Sequence, residues 1–157
     1  MTNTEELELA ASNDENVRSM LAQNPNTSLE TLDKLSGDAS QFVRMRVAAN
    51  INTSSEILDK LSKDESMYVR EFVAEHLNTS LESLLRLSND ESMAYWIGGN
   101  PNTPAGLLNK FSTHEDPNIR ASVAVNPNTP AETLDKLHKD ENEDVRSAVG
   151  KNPKYSA

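Results

Sequence analysis

The tetrapeptide Asn-Pro-Asn-Thr stands at positions 24–27, 100–103 and 126–129, and altered forms stand at Asn50-Ile51-Asn52-Thr53 and His76-Leu77-Asn78-Thr79. It begins once more at Asn152-Pro153. The intervals between leading positions are 26, 26, 24, 26 and 26 residues. A chain that returns to one phrase at such intervals builds a stack of similar units, because a unit this small cannot bury its apolar face alone. Pro25 stops the helix before it, since proline lacks an N–H and disfavours helical geometry in the preceding residue. Asn26 or Thr27 offers a cap to the next helix, and Pro104 and Pro130 fall in a first helical turn. Each unit therefore reads helix A, break, helix B, turn.

The predicted architecture is an all-α solenoid without strands, a single domain over 1–157 of about five and a half repeats. Residues 1–23 form a degenerate N-terminal cap, in which 2–11 matches helix A poorly. The repeats are 24–49, 50–75, 76–99, 100–125 and 126–151, and 152–157 is a remnant whose last residues should fray. Helix A spaces its apolar residues by three (Leu29, Leu32, Leu35; Leu81, Leu84, Leu87), which predicts 3₁₀ or tight, short α geometry. Helix B spaces them by four (Val43, Val47; Val69, Val73; Val145, Val149), which predicts an α-helix with one buried face. The residue after each second apolar position is small (Ala22, Ala48, Ala74, Gly98, Ala124, Gly150), the mark of a close helix–helix approach. An aspartate often precedes helix B (Asp14, Asp38, Asp64, Asp90, Asp140), where it could cap.

Taken together, Asn-Pro-Asn-Thr-Pro, leucines three apart, an aspartate and Val-Arg-x-x-Val-Ala-x-Asn-Pro resemble the leucine-rich repeat variant family over nearly the whole chain. The resemblance implies alternating 3₁₀ and α-helices in a right-handed superhelix and no common catalytic activity. Most repeats here carry two more residues between Asp and Val than the family's 24-residue unit, so helix B starts earlier or the break is longer. Some family members are associated with a cysteine-bound iron–sulfur cluster; with no cysteine, this chain carries over no such role and no cofactor.

Twenty-five acidic residues against 15 basic ones give a net charge of −10, which repels phosphate backbones and anionic lipid. The N-terminal residues show no signal peptide and no stretch approaches a membrane span, so a cytoplasmic location is expected. His76 and His114 occupy an Asn and an Asp column and read as cap substitutions; with His138 they show no convergence on a metal. Neither a phosphate loop nor a nucleophile motif is present, and an enzyme is not expected.

An arginine follows the first core residue of helix B at Arg18, Arg44, Arg70, Arg120 and Arg146, and Ala94 breaks the row. The row is either a cationic stripe for a carboxylate, phosphate or acidic peptide, or a structural feature bonded to turn carbonyls and neighbouring Asp or Asn side chains. The variable face of helix B is more distinctive. Five of the seven aromatic residues fall on it in three consecutive repeats. Phe42, Met45, Tyr68, Phe72, Tyr95 and Trp96 are therefore the candidate binding residues, for a protein or peptide with an apolar or cationic segment or for a second copy of the chain. Glu71 and Glu75 at the edge favour a cationic partner. Alternatively the aromatics fill gaps between repeats, and their exposure decides. Two other functions stay open: nucleic-acid binding through the arginine row, which the acidity disfavours, and an enzyme site built across repeats. Gly98-Gly99 marks either a kink, a close approach by another chain, or a decayed repeat.

Overall fold

The structure, a computed structural model, describes residues 2–155; Met1 and the end of the expected remnant, Ser156 and Ala157, lie outside the described residues. Among the described residues there are twelve α-helices, one 3₁₀ turn and no strand. They alternate as helix A and helix B: α1 (Asn3–Leu9) and α2 (Glu15–Gln23), α3 (Leu29–Leu35) and α4 (Gln41–Ala49), α5 (Ser55–Leu61) and α6 (Met67–Glu75). Next come α7 (Leu81–Leu87), the 3₁₀ turn Glu91–Met93 and α8 (Ala94–Gly99). The last pairs are α9 (Ala105–Phe111) with α10 (Pro117–Val125), and α11 (Ala131–Leu137) with α12 (Glu143–Val149). None of these helices is long and apolar enough to cross a membrane.

The helices group into two compact units, Met1–Ser83 and Leu84–Ala157, with the boundary inside α7. In the first unit α2 packs on α4 and α4 on α6; in the second α8 packs on α10 and α10 on α12. Stacked B helices are thus the spine of each unit. Val43, Val47, Val69 and Val73 are completely buried in the first, and Met93, Ile97, Val123, Val145 and Val149 in the second. The small-residue column lets these helices approach: Ala48, Ala74 and Ala124 have no accessible surface. A Cβ at Gly98 would come within 2.3 Å of Ser122 Oγ, so this glycine serves a close contact, whereas one at Gly99 would meet nothing.

Helix A is α in every repeat and not 3₁₀. Leu32 N–H donates to Ser28 O at 2.9 Å and Leu58 N–H to Ser54 O at 3.0 Å, the i to i−4 pattern. The buried triplets are Thr31, Leu32, Leu35, then Ile57, Leu58, Leu61, then Leu107, Leu108, Phe111. Their i, i+1, i+4 spacing is one face of an α-helix. The first leucine of the three-residue pattern does not belong to the core: Leu29 is 54% exposed. An α-helix drifts only about 60° per three-residue step, so over two turns a three-residue pattern overlaps an α face well enough to mislead. Leu32, Leu58, Leu84, Leu108 and Leu134 occupy one column and are essentially inaccessible. Each contributes roughly 1.5–3 kcal/mol by leaving water.

The N-terminal cap is more regular than its sequence suggests. Thr2 and Glu5 form a capping box, and α1 packs on α2 and α3 as a helix A would. The buried Glu6 carboxylate accepts the Ser28 N–H at 2.9 Å at the start of α3, and hydrogen bonds from the Ser28 side chain first and its N–H second hold the Glu6 carboxyl below the usual range.

Candidate interaction surface

The recurring phrase is a hydrogen-bonded clamp between repeats. Asn50 Oδ1 accepts the Asn52 N–H at 3.0 Å, closing a turn after α4. Its Nδ2 donates to Ala22 O at 2.8 Å and Asn24 O at 2.9 Å in the repeat before. Asn126 repeats the pattern, donating to Gly98 O at 2.8 Å and Asn100 O at 2.7 Å, and Asn152 donates to Ala124 O and Asn126 O, both at 2.8 Å. The phrase's threonine looks backward: Thr27, Thr53, Thr103 and Thr129 donate to Leu21 O, Val47 O, Ile97 O and Val123 O in the last turn of the preceding helix B. Neither Asn26 nor Thr27 caps the next helix. Ser28 and Ser54 do, and Pro104 and Pro130 stand at the cap position just ahead of the first turn.

His76 fits the asparagine column. Its Nδ1 accepts the Asn78 N–H at 3.0 Å, which leaves the ring proton on Nε2 to donate to Asn50 O at 2.9 Å. The imidazole thus makes two of the three contacts that an asparagine amide makes at this position. His114 likewise accepts the Asp116 N–H on Nδ1 at 3.0 Å, and its Nε2 lies 3.2 Å from Glu91 Oε1.

The arginine row is held from both sides. Arg44 Nε and Nη2 donate to the two oxygens of Asp64 at 2.6 and 2.9 Å, and Nη1 donates to Asp38 O at 2.8 Å and Ala39 O at 3.2 Å. Arg18 pairs with Asp38 and Arg120 with Asp140 in the same forked geometry. Arg70 and Arg146 also donate to turn carbonyls, those of Asp64 and Glu65 and of Asp140 and Glu141. With Arg44 and Arg120 buried and most of their donors engaged, little is left for an external phosphate. Burial would raise the Asp38 and Asp64 carboxyls, but hydrogen bonds from Arg18 and Arg44 and from the Ser40 and Ser66 N–H groups outweigh it and hold both below the usual range. The Asp140 carboxyl is held low chiefly by Arg120.

These pairings reassign the aspartate column. Asp14 caps α2 and Asp90 caps the 3₁₀ turn, but Asp38, Asp64 and Asp140 stand two residues before the caps Ser40, Ser66 and Asn142. The two extra residues of the long repeats therefore form a short turn that frees the aspartate to grip the arginine of the preceding repeat. In the 24-residue repeat, where the turn is missing, Asp90 directly caps the 3₁₀ turn Glu91–Met93 that leads into α8.

The variable face of helix B is open to solvent. In the first unit Phe42 (57%) and Tyr68 (54%) are exposed, and Met45 and Phe72 are half-buried. Phe42, Met45, Arg46, Ala49 and Phe72 border a cleft of about 410 Å³ whose far wall is the first turn of α2. Tyr68 lies on the same face but does not line that cleft. In the second unit Tyr95 is exposed and meets the half-buried Trp96 edge to face, ring centres 5.1 Å apart. Phe72 also lines a second cleft of about 370 Å³, together with Ala49, Ile51, Glu75 and Leu77. Sequence reasoning does not single out Ile51 or Leu77. The signal that finds them is the loss of the phrase's proline in two consecutive repeats, each time to a large aliphatic residue.

No protein-family model and no curated protein matches the chain. Among solved structures, one described as a leucine-rich repeat variant with a novel repetitive protein structural motif matches with a TM-score of 0.69 at 23% identity. The match covers 97% of this chain and 62% of that one, so this chain spans a little under two thirds of its length. The likeness shows the fold: this chain is a helical repeat protein of leucine-rich-repeat-variant architecture.

Proposed function

We propose that this chain is a non-catalytic repeat scaffold that binds a protein or peptide through the variable face of helix B. The observation that carries the reading is the exposure of Phe42, Tyr68 and Tyr95, with Met45, Phe72 and Trp96 half-exposed, over a core already complete without them. Val43, Val47, Val69 and Val73 fill the interior of the first unit, so the aromatics supply no missing packing. Adjacent large apolar side chains kept in water mark surfaces that lose that water on binding. The acidic residues beside them, Glu71 and Glu75, favour a cationic or mixed apolar-cationic segment. A second copy of the chain is the other partner this face would fit.

Parallel pull-downs with the wild type and with a variant carrying Phe72→Ala and Trp96→Ala test the reading. A partner retained by the wild type and lost by the variant supports it. Equal recovery by both refutes it.

A further inference from the structure

Ile51 and Leu77 are large aliphatic residues that stand well out in solvent, at 71% and 63%. Both stand where Pro25, Pro101 and Pro127 stand in the other repeats. The residue before each has extended backbone, ψ 123° at Asn50 and 135° at His76, as do Asn24, Asn100 and Asn126 at 122–126°. That is the geometry a following proline demands of the residue before it. Proline there would rigidify the unfolded chain's turn and remove apolar surface from water. The chain instead carries an exposed aliphatic side chain at each site, and both line one cleft.

We propose that the cleft of Ile51, Phe72 and Leu77 is a docking site for a peptide segment that presents a large apolar side chain beside a lysine or arginine. The proposal rests on the binding function above and assigns it a place and a chemistry. Ala49, Ile51, Phe72 and Leu77 make the lining largely apolar, and the space of about 370 Å³ suits a side chain or two rather than a whole helix. The exposed Glu75 stands on the rim. Charge selects the cation. Residues 1–83 hold 15 acidic and 7 basic side chains, a net of −8, while 84–157 hold 10 and 8, a net of −2. The first unit's cations are largely committed: Arg18 to Asp38, Arg44 to Asp64, Lys60 to Asp33 and Lys63 to Asp59. A basic group entering beside the apolar anchor meets Glu75 in a strongly negative field.

The test follows backbone amide resonances of the full chain during titration with two blocked hexapeptides, alternating Leu-Lys and alternating Leu-Glu. The Leu-Lys peptide should shift the amides of Ile51, Glu75 and Leu77 in a saturable way, and the Leu-Glu peptide should bind at least about tenfold more weakly. Ile51→Pro combined with Leu77→Pro should cut Leu-Lys affinity at least about tenfold, since two apolar walls are lost, without lowering the melting temperature. Should that variant fold poorly, Glu75→Lys at the exposed rim carries the same test, weakening Leu-Lys and strengthening Leu-Glu. Wild-type affinity in these variants, equal binding of the two peptides, or no shift with either overturns the proposal. Shifts confined to Phe42, Met45 and Tyr68 overturn it too, while leaving the binding function on the helical face intact. Concentration-dependent dimerisation in sedimentation, abolished by the two proline substitutions, would make the occupant a second copy of the chain and equally overturn it.

Discussion

The Arg44 guanidinium grips Asp64, twenty residues on and one repeat further along, through two parallel hydrogen bonds of 2.6 and 2.9 Å. Both side chains are about nine-tenths buried. The pair joins helix B of one repeat to the turn before helix B of the next, so it is an inter-repeat fastening. Arg44→Ala would strand a buried carboxylate and release two turn carbonyls, and should cost about 3 kcal/mol. Its neighbour Arg46 is exposed, and Arg46→Ala should cost less than about 0.5 kcal/mol. Urea denaturation of the two variants measures the contrast.

Acid should unfasten the same rungs. The Asp38, Asp64 and Asp140 carboxyls sit below their ordinary value in the fold. A lowered folded value means that their stabilisation is fully present above the unfolded value, about 3.9, and is lost as pH falls through the lower folded values. Their contribution to unfolding free energy should therefore be flat between about pH 7 and 5 and fall below about pH 4. Asp64→Asn should lower stability at neutral pH and make the acid limb shallower, as denaturation at four pH values would show.

Ala94 and His114 occupy the two ends of a missing rung. Their spacing of 20 residues is that of Arg18 and Asp38, Arg44 and Asp64, and Arg120 and Asp140. Where the arginine is lost, the aspartate is lost with it, and His114 lies by Glu91 instead. Ala94→Arg alone buries a cation without its carboxylate, and His114→Asp alone buries a carboxylate without its cation, so each should destabilise. The double variant should recover at least about 1 kcal/mol relative to the sum of the two, read from a double-mutant cycle.

The asparagine clamp yields a paired prediction. Asn126 is buried and bridges Gly98 O, Asn100 O and the Asn128 N–H. Asn126→Ala leaves all three without that partner and should cost about 2–3 kcal/mol. His76 already reproduces two of the amide's three contacts, so His76→Asn should change stability by less than about 1 kcal/mol. Thermal melts of the two variants compare them directly.

Helix B was readable in detail. Val43 and Val47 four apart, the small residue after them and the charged or aromatic residues opposite are all properties of one helix, and a local period reports one helix faithfully. Helix A was less readable, because two turns are too few for a period of 3 to be told from 3.6, and Leu29 stood in for Thr31. Asp14 and Asp90 cap as the column suggests, but Asp38, Asp64 and Asp140 do not, for a related reason. Asp38 and Asp14 look alike in the chain, and only the two residues that follow Asp38 turn its carboxylate toward another repeat. Ile51 and Leu77 read as worn copies of a proline until the fold placed them in one cleft.

The periodic phrase by itself determined that the chain is a stack of two-helix units, because no single unit of this size can bury its apolar face. It also determined which columns vary. The tertiary structure decided what each column is for. The partners that fasten one repeat to the next, such as Asp64 for Arg44 and Ala22 O for Asn50, stand twenty to twenty-eight residues away, and local sequence carries no record of that distance. Asn50 became a clamp, Arg44 a fastening and Ile51 the wall of a cleft only when the repeats were stacked.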